Sequence, residues 1–287
     1  MTVGHVTHDR YAEDIVPGGC AFYGAKTMHA LGANVHLVTA VGADFACETA
    51  LDGIKVTRTV GEQTTVFLNT YPVGGPRIQW AEATAANVAP SLIASSDRQD
   101  LDVLFIAPVF GELDLRQWLD TVDAKIVGVG LQGFLKQPGR SHSDVSRRFA
   151  VVSKSFDATH ELLKRIDVVF LSDEDIRVFG TEDLLDKLLA AVPVVVLTRG
   201  EKGTKVFVHG QIINVGVFKT NVVDPTGAGD TFSAAFLFAL ARGESLEIAA
   251  KLGTAAASII IENYGGANLS KVDAAFDRMP LIHARIV

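Results

Sequence analysis

The chain has 287 residues, of which 48% are hydrophobic and 21% charged, so it can build a sizeable core and is not expected to be disordered. Its formal net charge of -7 argues against a general nucleic-acid binder, which would need a basic face.

The cysteines and the apolar runs indicate the cellular compartment of the protein. Cys20 and Cys47 form no C-x-x-C or metal-binding pattern, so we expect reduced thiols in a cytoplasmic protein. The first nine residues do not have the layout of a secretory signal. No apolar run is long enough to cross a bilayer, so we expect no membrane partner.

The N-terminal part predicts short strands around one helix. Residues 3–6 have the pattern of a strand end, and Asp9 follows them. Gly18 and Gly19 precede a helix predicted over 21–31, and residues 35–40 predict a buried strand. His5 and His8 would point to opposite faces of a strand, which does not favour a metal pair.

Three strands are predicted over residues 55–60, 64–70 and 77–82. Residues 72–76, Pro-Val-Gly-Gly-Pro, predict a turn between the last two strands. By pattern alone, this region can be an ordinary hairpin on the main sheet.

From residue 100 onward, short apolar strands alternate with helices. Strands are predicted over 103–107, 125–129, 167–171, 194–198 and 205–208, and helices over 113–122, 231–242 and 251–262. This alternation predicts a three-layer α/β/α fold with a mostly parallel central sheet. Ligands of such folds bind at the carboxyl ends of the strands.

The run Gly128 to Gly133 matches G-x-G-x-x-G, the fingerprint of a dinucleotide site. That site needs a helix after the glycines, whose N-terminus faces the pyrophosphate. Here Gln137-Pro138-Gly139 follows and would break a helix. A dehydrogenase therefore remains only a third hypothesis.

The segment 224–232, Asp-Pro-Thr-Gly-Ala-Gly-Asp-Thr-Phe, is a glycine turn that runs into a helix. Unpaired N–H groups and the helix dipole make such a start an anion site. Asp230 adds a carboxylate that can accept a proton at neutral pH. An anion cradle beside a base is what phosphoryl transfer needs. The plain alternative is that Asp230 caps the helix and the glycines only make a turn.

This segment resembles the C-terminal signature of the ribokinase-like (PfkB) carbohydrate kinase family. The resemblance implies a single kinase domain over residues 1–287, which uses ATP and Mg²⁺ to phosphorylate a hydroxyl of a small polyol or sugar. It implies a small β lid, with strands approximately within 10–16 and 54–84, through which a homodimer can form. The chain has no G-x-x-x-x-G-K-[ST] motif, so it is not a P-loop enzyme.

The resemblance also assigns roles to individual residues. Asp230 would be the catalytic base, and Gly227, Ala228 and Gly229 the anion hole. The substrate-binding residues would be Asp9, Gly18, Gly19, Gln132 and Asp230. The ATP-binding residues would be Thr198, Gly200, Gly203, Thr226, Gly227, Gly229 and Asn263. Glu174 would help to organise Mg²⁺ through water, although it can equally be one of several acids at a helix N-terminus.

Two questions stay open. Tyr23, Cys47 and Leu171 depart from the family pattern, so a non-catalytic ligand-binding or regulatory relative is the second hypothesis. For the substrate, Leu131 to Lys136 is similar to the plant myo-inositol kinase branch, which favours a cyclitol such as myo-inositol. Ribose, a ketose or a nucleoside remain alternatives. A nucleoside would need an apolar slot, for which Phe22, Tyr23 and Phe67 are the candidates.

Overall fold

The computed structural model describes residues 1–11, 14–70, 78–143, 146–181 and 183–287. The turn predicted at 72–76 lies outside these residues. The strands are β1 Thr2–Val3, β2 Thr7–Tyr11, β3 Asp14–Gly18, β4 His36–Gly42, β5 Lys55–Gly61, β6 Thr65–Thr70, β7 Ile78–Ala83, β8 Leu101–Ile106, β9 Ala124–Gly130, β10 Lys136–Ser143, β11 Ser146–Ser153, β12 Val168–Ser172, β13 Val194–Thr198, β14 Thr204–Val208, β15 Gln211–Val215 and β16 Ala284–Ile286. The helices are α1 Cys20–Ala30, α2 Leu115–Thr121, α3 His160–Leu163, α4 Asp173–Phe179, α5 Leu184–Ala191, α6 Ala228–Ala241, α7 Leu246–Ile260 and α8 Ala275–Arg278.

The main sheet runs in the order β16-β15-β14-β13-β12-β9-β8-β1-β4-β5. Among the described residues, the pairings from β5 through to β13 are parallel. The pairings that join β13, β14, β15 and β16 are antiparallel. The α/β class is therefore confirmed, but the sheet is mixed rather than mostly parallel. The difference arises because β13, β14 and β15 follow one another through tight turns, which join antiparallel strands.

Helices cover both faces of this sheet. Adjacent residues of β8 show the alternation: Phe105 packs into the cluster that contains α1, α6 and α7, and Leu104 into the one that contains α2, α3 and α5. The side chains of a strand alternate between the two faces, so strands buried on both sides are apolar throughout. This arrangement is the expected three-layer α/β/α architecture. No helix within the described ranges has both the length and the hydropathy needed to span a bilayer.

A second sheet has the order β10-β11-β7-β6-β2-β3. Its strands from 14–16, 65–70 and 78–83 fall in the ranges expected for a lid. Lys55–Gly61, however, pairs in parallel with β4 and belongs to the main sheet, so that part of the 54–84 range is corrected. The hairpin of β10 and β11 was not expected from the sequence. It is held to β7 by backbone pairing and by the Arg148–Glu82 ion pair.

The junction between β3 and α1 joins the second sheet to the helices. Gly18 ends β3 and Gly19 precedes the first residue of α1. Helix α1 then packs along α6, and the Thr27 hydroxyl donates to the Thr231 hydroxyl at 3.3 Å. The first turn of α6 therefore lies against α1.

Candidate active site

Helix α6 begins without a side-chain cap. Its N-cap is Gly227, in the left-handed region with φ 77°. In four other helices the side chain of the N-cap residue accepts an N–H of the first turn. These N-cap residues are Asp114, Thr159, Ser172 and Ser245. A Cβ added at Gly229 would meet no heavy atom within 4 Å, so the first turn of α6 faces open space. This helix start has the features of an anion-binding site.

The ring of Tyr23 packs against the glycine turn at Gly227. It is 1% exposed, and a Cβ added at Gly227 would lie only 2.3 Å from its ring. A Cβ at Gly266 would lie 3.0 Å from the same ring. The tyrosine that departs from the family pattern therefore packs between two glycine loops, which explains why both positions need glycine.

Asp224 joins the turn before α6 to the loop after α7. Its carboxylate accepts the Thr226 N–H at 2.9 Å and the Gly265 N–H at 3.2 Å. Its own N–H donates to the Ile261 carbonyl. Thr226 and Asn263 lie on these two joined loops, and the Asn263 side chain accepts the Tyr264 N–H at 2.9 Å. The sequence motif did not reveal this cross-link.

The N-terminus of α1 meets that of α6. Gly19, its N-cap, has φ 94° and no side-chain cap bond, and a Cβ there would lie 2.4 Å from the His5 carbonyl. The Cys20 thiol hydrogen-bonds to the Asp230 carboxylate. Its Sγ also lies 3.7 Å from Gln132 Oε1. Two predicted site residues, Asp230 and Gln132, thus converge on Cys20, which the sequence analysis did not assign.

Asp9 lies on β2 and is 6% exposed. Its carboxylate accepts the Thr7 hydroxyl at 2.8 Å. A Cβ added at Gly18 would overlap this carboxylate at 2.4 Å, so Gly18 is required for β3 to pass beside it. Asp9, Gly18 and Gly19 therefore lie together at the start of α1.

Lys136 is a second residue that the site analysis from sequence left unassigned. It is 1% exposed, its Nζ donates to Gln79 Oε1 at 3.0 Å, and it lies 5.2 Å from the centre of the Phe179 ring. Its positive charge acts on the Cys20 thiol. A buried lysine follows Gln132 by four residues, so a fixed cation accompanies the polar group at this edge of the sheet.

Glu112, in the loop after β8, is buried. Its carboxylate accepts N–H groups from His5, Val109 and Phe110 at 2.8–3.2 Å. These bonds tie the loop after β8 to the end of β1. A lone acidic residue within the apolar stretch 103–113 is the signal that could have identified it.

The turn from Thr198 to Gly203 ends β13 and starts β14. The register pairs Thr198 with Ser172, the residue before α4, so the turn lies beside Glu174 at the carboxyl edge of the sheet. Gly200 has φ 53° and open space around it, whereas a Cβ at Gly203 would lie 2.1 Å from the Val215 carbonyl. The roles of these residues in binding ATP stay predictions.

The acids after β12 form a helix start. Ser172 and Asp175 make a reciprocal capping box, and Asp173 and Glu174 occupy the same first turn. Glu174 is half-buried. Within the described ranges, no three His, Cys, Asp or Glu side chains are grouped so that they could hold a metal ion. A cation here would therefore be coordinated mainly by water and by phosphate oxygens of a bound nucleotide. The role of Glu174 stays a prediction.

A cavity of about 560 Å³ lies elsewhere, between α2 and residues 154–158. Its lining includes Glu112 and Phe134 but neither Asp9 nor Asp230. The convergence of α1 and α6, rather than this cavity, brings the predicted residues together.

His8, next to Asp9, makes the stability of this region depend on pH. Its Nε2 accepts the Ala46 N–H at 3.1 Å, and its ring stacks on Phe45. Burial lowers the pKa of His8, with a further contribution from the Arg10 charge, while Asp44 opposes the shift. The unfolded chain therefore binds more protons than the folded one below about pH 6.5.

We expect the free energy of unfolding to fall as the pH drops from 7 to 5, because protonation removes the acceptor for Ala46. His8→Gln keeps an acceptor but does not titrate, so its stability should depend less steeply on pH. Urea unfolding at pH 5, 6 and 7 measures this. Some dependence should remain from His36, whose pKa burial also lowers. Equal slopes for the two proteins would contradict this role of His8.

Comparisons with known proteins find relatives that are kinases. Residues 141–273 match the model of the pfkB family carbohydrate kinases. The chain is 28% identical to a cytidine kinase of Thermococcus kodakarensis, over 92% of this chain and 96% of that protein. It is also 28% identical to an inositol 3-kinase of Arabidopsis thaliana, over 92% of this chain and 74% of that protein.

A solved structure is similar in fold. It is a pyrophosphate-dependent kinase of the ribokinase family, complexed with a pyrophosphate analogue and myo-inositol. It matches with a TM-score of 0.76 at 21% identity, over 95% of this chain and 98% of that one. The matches and the fold together support one conclusion: over residues 141–273 the chain is similar to the pfkB family of carbohydrate kinases, and its fold is ribokinase-like.

Proposed function

We propose that the protein transfers the γ-phosphoryl group of ATP to a hydroxyl of a small polyol or sugar, with a cyclitol such as myo-inositol as the first candidate. The observation that carries this proposal is the placement of Asp230. It is the third residue of α6, whose N-cap is Gly227, and it faces the start of α1, where Asp9 and Gln132 lie.

In the proposed reaction, the Asp230 carboxylate accepts the proton of the substrate hydroxyl. The hydroxyl oxygen forms a bond to the γ-phosphorus while the bond from that phosphorus to the bridging oxygen breaks, and ADP leaves with that oxygen. The N–H groups of Gly227 and Gly229 stabilise the transferred group at the positive end of the α6 dipole. The Ala228 N–H, expected to join them, donates to the Pro225 carbonyl at 3.2 Å. Asp9 accepts hydrogen bonds from other hydroxyls of the substrate, and Gln132 contacts a further one.

Mg²⁺ would offset phosphate charge in this reaction and would be held mainly by the phosphate oxygens, since that ion usually keeps several waters and takes few carboxylates. Glu174, half-buried at the carboxyl edge of the sheet, is the carboxylate of this chain that we propose to face it through water. Thr198, Gly200, Gly203, Thr226 and Asn263 are the other residues that we propose to border the nucleotide.

The close packing of the nearby aromatic side chains is the observation that favours a polyol over a nucleoside. The residues named for an apolar slot are already packed: Phe22 is 3% exposed, Tyr23 1% and Phe67 3%. Phe67 contacts Phe110 edge to face, and Tyr23 lies against Gly227. These rings offer little surface to a base. A pyrimidine nucleoside is the second candidate, because one relative is a cytidine kinase.

The test is ADP release from ATP and Mg²⁺ with myo-inositol, scyllo-inositol, ribose, fructose, cytidine and uridine, with Asp230→Asn as the control. A cyclitol should give the highest kcat/KM, roughly tenfold or more above cytidine, since a site built for hydroxyl hydrogen bonds rejects analogues that leave its polar groups unpaired. If cytidine leads, the nucleoside replaces the cyclitol. Release of phosphate from pyrophosphate, run in parallel, tests the donor.

The non-catalytic alternative predicts a different outcome. The protein would bind a ligand and ATP, measured by calorimetry, without releasing ADP with any acceptor.

We further propose that the protein is cytoplasmic, since both cysteines are free thiols. We also propose that it forms a homodimer through the second sheet, where Ile15 and Val152 are exposed. The oligomeric state is measured by light scattering.

A further inference from the structure

Cys20 occupies a particular place at the site. It is the first residue of α1, directly after Gly19, and its side chain is 6% exposed. It lies between two residues that are far apart in sequence. The thiol hydrogen-bonds to the Asp230 carboxylate on one side, and its Sγ is 3.7 Å from Gln132 Oε1 on the other.

The thiol is a donor in this arrangement. Burial raises the pKa of Cys20 well above its ordinary value, and the negative charge of Asp230 raises it further, while Lys136 opposes the shift. Cys20 is therefore a neutral S–H group at physiological pH. A thiol has one proton to donate, and an ionised carboxylate is a stronger acceptor than an amide oxygen. The thiol thus has two acceptors within reach, Gln132 Oε1 at 3.7 Å and the Asp230 carboxylate, of which the carboxylate binds its proton more strongly.

The backbone keeps the thiol in place. A side chain at Gly19 would overlap the His5 carbonyl, and the Thr27–Thr231 hydrogen bond joins α1 to α6 close to Asp230. The position of Cys20 relative to the carboxylate is therefore set by the contact between two long helices. A weak donor at this point orients the carboxylate towards the substrate hydroxyl.

We propose that Cys20 is a positioning residue, whose S–H···O hydrogen bond holds the Asp230 carboxylate in the orientation that meets the substrate hydroxyl. The inference rests on the proposed role of Asp230 as the base. A thiol suits this task because it is a weaker donor than a hydroxyl and so takes less basicity from the carboxylate.

The test uses Cys20→Ala and Cys20→Ser with the acceptor that is most active in the panel. Loss of one hydrogen bond should lower kcat of Cys20→Ala about fivefold, with KM for the acceptor changed less than about twofold. Cys20→Ser should recover most of kcat. In the pH profile of kcat, the acid limb of Cys20→Ser should lie roughly half a pH unit below that of the wild type. The reason is that a hydroxyl donates more strongly to the Asp230 carboxylate and so lowers its pKa.

A wild-type kcat and pH profile in both variants would overturn the proposal, because a side chain that only fills space would not move the profile. If Cys20→Ala does not fold, the profile of Cys20→Ser decides alone: a shifted acid limb supports the proposal and an unshifted one overturns it. Asp230→Asn runs beside them. Its inactivity together with unchanged Cys20 variants rejects this inference only, whereas an active Asp230→Asn rejects the base itself.

Discussion

Asp230→Asn is expected to reduce kcat by roughly three orders of magnitude, within the range for loss of a general base. Asparagine keeps the shape of the side chain but cannot accept the hydroxyl proton. ATP binding should stay within a few-fold of wild type, because the N–H groups of the first turn of α6 remain. The measurements are kcat with the best acceptor and the Kd for ATP by calorimetry.

The matched control is Asp186→Asn. Asp186 is likewise the third residue of a helix, α5, and is exposed. Both substitutions remove a carboxylate that compensates a helix dipole, which changes stability by about 0.3–1 kcal/mol. Only Asp230→Asn should change turnover. Near wild-type turnover in Asp230→Asn would show that this residue is not the base.

Gly227→Ala is the second substitution with a large expected effect. A residue with a side chain is strained at φ 77°, and the new Cβ would lie 2.3 Å from the Tyr23 ring. The strain and the overlap together should lower the free energy of unfolding by roughly 2–5 kcal/mol. We also expect kcat to fall by about 100-fold or more, since displaced N–H groups no longer face the transferred phosphoryl group. Urea unfolding and kcat measure the two effects.

Gly243→Ala separates strain from overlap. Gly243 follows the other end of α6 with φ 81°, and a Cβ there would meet no heavy atom within 4 Å. It should cost about 1 kcal/mol through backbone conformation alone and leave turnover unchanged. Equal losses of stability in the two variants would mean that contact with Tyr23 does not constrain the turn.

Local elements were predictable because hydrophobic periodicity reports which face of a segment is buried. The strand predicted over 194–198 coincides with β13. Helix α6 begins three residues before the predicted start at 231, because a glycine in the left-handed region, rather than an apolar residue, opens it. Helix α7 begins at Leu246 rather than 251, where Ser245 caps it.

Strand pairing was less predictable. Lys55–Gly61 looked like its neighbours in sequence, yet it pairs with β4 in the main sheet. Lys136–Ser143 contains Pro138 and Gly139, which correctly argued against a helix, but nothing local indicated that it would form a hairpin with β11. A strand is completed by its partners, so which sheet it joins depends on distant segments.

By itself, the sequence determined the α/β class and the glycine turn that leads into α6 with Asp230, since contiguous residues carry both. Only the tertiary structure decided what surrounds that turn. Tyr23 lies beneath Gly227, Cys20 contacts Asp230, and the buried Lys136 acts on the same thiol. These residues are about a hundred or more positions from the α6 turn along the chain, and the packing of α1 against α6 is what brings Cys20 and Tyr23 to it.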